Sequence, residues 1–166
     1  MIRELAKKLA TFSEFVDCVI IEAEFRRGQF EAGAEVLKSH STMALVRVRS
    51  AEAELSVKLI RPRKEIKATF GSRVQSDKKI WRIFTASEVS EFTAAVGEKN
   101  KIHRLNPPIV PRLMILETIC AAFPSNFIKL KFKNFVTAGE PLSLQVVDTH
   151  IEIKSAGVLK VSGEMS

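Results

Sequence analysis

Apolar and polar residues alternate with period two along several stretches of the chain. Val46 and Val48 are interleaved with Arg47 and Arg49. Leu55, Val57 and Leu59 are interleaved with Glu54, Ser56 and Lys58. Ile128, Leu130 and Phe132 are interleaved with Lys129, Lys131 and Lys133. Charge on one face and hydrocarbon on the other predicts antiparallel strands packed on one side only. A helical period appears elsewhere. Val89, Phe92 and Val96 form a stripe preceded by Thr85 and Glu88, the pair of a capping box, and closed by Gly97. Residues 113–123 are almost wholly apolar and carry one charge, Glu117, which predicts a long helix over 112–123. A second long helix is predicted over residues 2–12, and a strand around Trp81 over residues 79–84.

The two halves echo each other in order. Met1, Ile2 and Glu4 match Met114, Ile115 and Glu117. Residues 21–25 match 128–132, each followed by an Ala-Gly turn at Ala32-Gly33 and Ala138-Gly139. Residues 46–51 match 151–156. Such self-similarity predicts a repeated unit. The expected organisation is a truncated repeat over residues 1–60, a basic linker over 61–79 and a complete repeat over 80–166. Only the second repeat has the capped helix and the histidine loop that precede the apolar helix.

At 166 residues and 46% hydrophobic content, the chain can bury a sizeable core. No uncharged apolar run reaches membrane-span length. The N-terminus is amphipathic and lacks the apolar stretch of a signal peptide. Cys18 and Cys120 suggest no disulfide framework, so a cytoplasmic location is expected. The net charge is +7, and residues 61–79 hold seven basic residues against Glu65 and Asp77. Such a stretch suits an acidic carrier, the phosphates of coenzyme A or a solvated linker. Nucleic-acid binding finds no support in a zinc pattern, a basic recognition helix or an aromatic-interleaved RNA motif.

The candidate chemistry lies in residues 103–117. His103 is followed by a loop carrying Pro107, Pro108 and Pro111, and then by the apolar helix that carries Glu117. Histidine is the side chain best suited to proton transfer near neutral pH. A carboxylate on an apolar helix is expected to have a raised pKa and to serve as an acid. His40 and His150 fall between strands with no such surroundings.

This segment resembles the signature of the beta-hydroxyacyl-ACP dehydratases, whose histidine, two prolines and glutamate fall at His103, Pro108, Pro111 and Glu117. The stretch Gly97-Glu98-Lys99-Asn100-Lys101-Ile102-His103 is similar to the Gly-Asp-x-Asn-Pro-x-His loop of the MaoC-like (R)-specific enoyl-CoA hydratases. The resemblance implies an α+β hotdog fold, a long helix wrapped by antiparallel sheet, here as a double hotdog with its N-terminal copy truncated. It implies a lyase of fatty acid metabolism that dehydrates (R)-3-hydroxyacyl thioesters or hydrates trans-2-enoyl thioesters. His103 would be the base. The acid would be Glu117 first, Glu98 second and Glu4 third, and Asn100, Pro111 and Arg112 would bind substrate.

In the dehydratases the histidine and glutamate of one site come from opposing subunits, which implies a homo-oligomer such as a dimer. The resemblance implies no metal and no cofactor beyond the coenzyme A or acyl carrier protein phosphopantetheine that carries the substrate. The chain departs from the pattern in three places. Glu98 replaces aspartate, Lys101 replaces proline, and Arg112 stands where the dehydratases have glycine. Arg112 is expected either to obstruct the channel or to swing out and hold an anion. Rival readings are a non-catalytic acyl-thioester-binding module, a degenerate dehydratase subunit, and an acyl thioesterase.

Overall fold

The computed structural model describes residues 1–67, 69 and 79–166. Helix α1 (Ile2–Ala10) and a short 3-10 turn precede strands β1 (Val19–Arg27), β2 (Gly33–Ser39), β3 (Met43–Arg49) and β4 (Ala53–Ile60). Helix α2 (Ala86–Val96) and the 3-10 turn Lys101–Arg104 lead to α3 (Arg112–Ala122). Strands β5 (Phe127–Phe132), β6 (Ser143–Val147), β7 (His150–Ser155) and β8 (Val158–Met165) follow. All strands join one antiparallel sheet in the order β2-β3-β4-β1-β5-β8-β7-β6.

The sheet has an internal order that matches the sequence echoes. Its centre is the antiparallel pair β1–β5, where Ala23 faces Leu130 and Glu24 faces Lys129. Outward from that pair, each half runs through the fourth, third and second strand of its own series. The echoed stretches lie on α1 and α3, on β1 and β5, and on β3 and β7. The two halves of the sheet meet edge to edge at the β1–β5 pair.

The alternation of the sequence becomes the two faces of the sheet. Ala44, Val46 and Val48 of β3, and Leu55, Val57 and Leu59 of β4, are buried beneath the helices. The intervening charges pair across strands on the other face. Lys129 lies 3.3 Å from Glu22, and Arg49 lies 2.7 Å from Glu54. Helix α3 packs on the central β1 and β5, and α1 lies over β3 against α2 and α3. Leu116, Ile115 and Ile119 of α3 are fully buried, so hydrophobic burial fixes this helix across the middle of the sheet. Among the described residues, no helix is long and apolar enough to cross a membrane.

Gly163 marks a point of close approach. A Cβ there would collide with the carbonyl oxygen of Lys129 and with the Leu130 side chain, so β8 can lie against β5 only because this residue has no side chain.

Two sequence expectations are corrected. Residues 79–84 do not form a strand. They make a single antiparallel bridge, Arg82 to Leu142, with the Trp81 N–H donating to the Leu142 carbonyl at 2.7 Å. The first helix stops at Ala10 rather than at residue 12, and the Thr11 N–H donates back to the Lys8 carbonyl at its end. Of the expected basic linker, residues 68 and 70–78 lie outside the described residues. Arg61, Arg63, Lys64 and Lys67 are exposed. Ile66 between them packs against Val19, Ile102 and Ile109.

Candidate active site

The site begins where α2 ends. Thr85 and Glu88 close the predicted capping box at its start. Gly97 ends it in the left-handed conformation (φ 72°), which a residue without a Cβ adopts at little cost. The chain then turns back on itself, and Glu98 Oε1 accepts the Asn100 N–H at 2.9 Å.

Asn100 is buried and uses both ends of its amide. Its Nδ2 donates to the Cys18 carbonyl at 3.1 Å, and its Oδ1 accepts the Ile102 N–H at 3.3 Å. It thus ties the histidine loop to the start of β1 while capping the 3-10 turn that carries His103. Ile102 and Ile109 pack with Val19 under the loop as a small separate core.

His103 Nδ1 lies 2.7 Å from the Ile109 carbonyl. A carbonyl can only accept, so Nδ1 carries the proton and donates, which leaves the Nε2 lone pair free in the neutral ring. Burial holds the imidazole below the usual histidine range. The Ile109 carbonyl and the charge of Glu98 oppose that shift, and the charge of Arg112 adds to it. The ring is therefore neutral at physiological pH, the state a base requires.

His103, Glu98, Asn100, Pro111 and Arg112 line one cavity of about 50 Å³. Its remaining wall is mostly hydrocarbon, including Leu9, Phe92, Val96 and Leu113. A second space of about 380 Å³, bounded by Phe12, Phe15 and Lys99, shares Leu9, Cys18, Ile20 and Glu98 with the first. On the other side a groove of about 670 Å³ also reaches His103 and Glu98. Glu98 lines all three spaces, and His103 lines the first and the third.

Glu117 does not join them. Its carboxylate is held by Arg3 of α1, with Oε1 at 2.8 Å from Nε and Oε2 at 3.3 Å from Nη2. It is part exposed and lines none of these cavities. The expectation of an isolated carboxylate on an apolar helix is therefore corrected. α3 is apolar in sequence, but the face bearing Glu117 meets the basic face of α1. Glu4 is more exposed still and pairs with Lys8 one helical turn on, at 3.7 Å.

Arg112 turns inward. Its Nη1 donates to the Ile20 carbonyl, and its guanidinium carbon stands 5.3 Å from the Phe132 ring centroid and 4.7 Å from that of Phe135. The Ile20 carbonyl lies beyond the last β1–β5 pair, Glu22 with Lys131, and beside a bulge in β1. The arginine thus caps a strand end that has run out of partners. Burial pushes its pKa down to about 10, still fully protonated at neutral pH.

The Ile20 carbonyl, the Cys18 carbonyl and Phe135 carried no local signal in the sequence. They reach the site only through the β1 bulge and the loop after β5. Buried Glu140 anchors that loop by accepting the Thr137 N–H and pairing with Lys160 at 2.9 Å. Lys160 in turn donates to the Phe135 carbonyl at 2.9 Å. Among the described residues, no group of three or more His, Cys, Asp or Glu side chains is placed to hold a metal.

The architecture is an α+β hotdog fold. HtdX of Mycobacterium tuberculosis superposes with a TM-score of 0.64 at 14% identity, over 99% of this chain and 86% of that one. A MaoC-like dehydratase from Phytophthora capsici gives 0.53 at 12% identity, over 91% and 72%. An acyl-ACP thioesterase from Bacteroides thetaiotaomicron gives 0.51 at 12% identity, over 89% and 75%. No protein-family model matches the chain, and no curated protein matches it by sequence.

Proposed function

We propose that this protein adds water to trans-2-enoyl thioesters, or removes it from (R)-3-hydroxyacyl thioesters, carried on coenzyme A or acyl carrier protein. The observation that carries the reading is the grouping of Glu98, Asn100 and His103 on one loop, with Nε2 of a neutral histidine free beside an apolar cavity.

In dehydration, His103 Nε2 takes the proton from C2. The electron pair forms the C2–C3 double bond, and the C3 hydroxyl leaves as water with the proton of Glu98 in its carboxylic acid form. The proton left on His103 then returns to the Glu98 carboxylate to reset the pair. Hydration is the reverse. Charge builds on the thioester oxygen meanwhile, and the first N–H groups of α3, which has no side-chain cap, are donors of the right kind. Glu98 takes over the role first assigned to Glu117, because it shares the cavity with His103 and Glu117 does not. Exposed Arg63, Lys64 and Lys67 flank Ile66, which packs on the histidine-loop core, so their charge lies near the site and suits the phosphates of either carrier. Hydration of crotonyl-CoA, followed by loss of the conjugated enoyl absorbance, tests the reading. Absence of turnover on short and long enoyl thioesters would sink it.

A second reading is a non-catalytic acyl-thioester-binding module. What favours it is the size of the cavity. About 50 Å³ is well below the roughly 300 Å³ at which small-ligand pockets usually begin. Equilibrium binding of acyl thioesters without turnover would select it.

A further inference from the structure

The inward guanidinium of Arg112 has a role to find beyond capping one carbonyl. Arginine offers five N–H donors. Among the described residues, its one protein acceptor is the Ile20 carbonyl, and no carboxylate pairs with it. Two phenylalanine rings flank it and repay part of its lost hydration. They leave it a permanent cation, half-buried in a cavity that Glu98, His103 and Asn100 also line and whose remaining wall is mostly hydrocarbon. A half-buried charge with no ion-pair partner among the described residues is costly, and burial lowers the pKa of this group. A ligand with a permanent negative charge would offset that cost on binding. A charge that appears only in a transition state would not.

We infer that Arg112 is a specificity residue, and that the site takes a short acyl thioester whose acyl group ends in a carboxylate. The guanidinium would receive that carboxylate through its unused donors, in the fork geometry that arginine and carboxylate share. The position of the arginine favours this occupant over a long hydrocarbon tail. Arg112 and His103 line the same cavity, so the receptor for the far end lies close to the reacting carbons and the acyl group between them is short. The inference rests on the hydration reading for the position of the thioester, but recognition of the carboxylate can be measured without turnover.

The experiment uses the whole chain and saturated, unreactive probes. Glutaryl-CoA is compared with a neutral isostere in which an isopropyl group replaces the carboxylate, by equilibrium titration on the parent and on Arg112→Met. Glutaryl-CoA is expected to bind the parent about 10- to 100-fold more tightly than the isostere, the worth of a charge-assisted hydrogen bond. In Arg112→Met that ratio collapses toward one.

Equal affinities on the parent overturn the inference, and that comparison stands even if the variant does not fold. A second arm measures kcat/KM on glutaconyl-CoA and crotonyl-CoA. If Arg112→Met lowers both equally and leaves their ratio unchanged, the arginine serves the thioester oxygen and the carboxylate site is refuted. Turnover of crotonyl-CoA with no preference for the carboxylate removes only this inference. A glutaryl preference without any turnover removes the hydration reading and keeps the anionic-acyl site.

Discussion

Glu117 and Arg3 form a two-pronged ion pair, 2.8 and 3.3 Å, that bolts α3 to α1 outside the cavities lined by His103. The carboxylate nominated by the sequence as the acid is thus committed to a helix–helix contact. Glu117→Gln is expected to leave turnover within about twofold, because no reacting atom is near it. Its cost should be about 1 kcal/mol of stability or less, the usual range for a part-exposed ion pair. Steady-state kinetics and denaturant melts read the two effects. A loss of two or more orders of magnitude in kcat would show instead that Glu117 reaches a site across a subunit boundary.

Glu98 should behave in the opposite way. It lines both of the spaces that His103 lines, and one of its oxygens is anchored on the Asn100 N–H. Glu98→Gln keeps the shape and an acceptor for that N–H but removes the transferable proton. Turnover of enoyl thioesters should fall by about two to four orders of magnitude, as is usual for a placed acid or base. The melting temperature should stay close to that of the parent. A variant with full activity would leave His103 without its partner and return the question to Glu4 and Glu117.

The difference between these carboxylates explains what was legible in the sequence. Periodicity located α2, α3 and strands β3, β4 and β5, because burial imposes the same pattern on each residue of an element. The echoed stretches 21–25 and 128–132 lie on strands β1 and β5, which pair at the sheet centre, but the sequence echo by itself named no strand pairing. The loop holding Glu98, Asn100 and His103 was readable because its turns are closed by local contacts two to three residues apart, although the bond that ties Asn100 to the Cys18 carbonyl was not. The ion pair of Glu117 was not legible because its partner is 114 positions away. Its helix looks apolar along the chain, but α1 supplies a cation from a distant stretch of sequence. Arg112 was left open between two orientations for the same reason. The carbonyl and rings that draw it inward belong to β1, β5 and the loop that follows β5.

Gly163 offers a test of the sheet itself. It faces Leu130 across the β5–β8 ladder, where an added Cβ would meet backbone rather than a movable side-chain end. Gly163→Ala must push β8 away from β5. The expected cost is about 1–3 kcal/mol, the range for overpacking a tight contact. At roughly 2–4 °C per kcal/mol for a chain of this size, a thermal melt will resolve it. An unchanged melting temperature would contradict the β5–β8 register.

His103 should make the protein sensitive to acid. Its folded pKa lies below the unfolded histidine value of about 6.5, chiefly because the ring is buried. Above that value neither state binds the proton, and the contribution of the neutral ring to stability is complete. As pH falls below it, the unfolded chain takes up the proton first, and stability drops until the folded ring is protonated as well. Denaturant melts at a series of pH values from about 7.5 downward should show this loss, and the loss should be smaller in His103→Gln. The same shift acts on catalysis. In the dehydration direction His103 must be neutral to accept the C2 proton, so the arm of the pH–rate profile that it governs should have its midpoint below about 6.5. A midpoint above that value, or a parent and variant that lose stability in parallel, would mean that the ring is not buried as a neutral base.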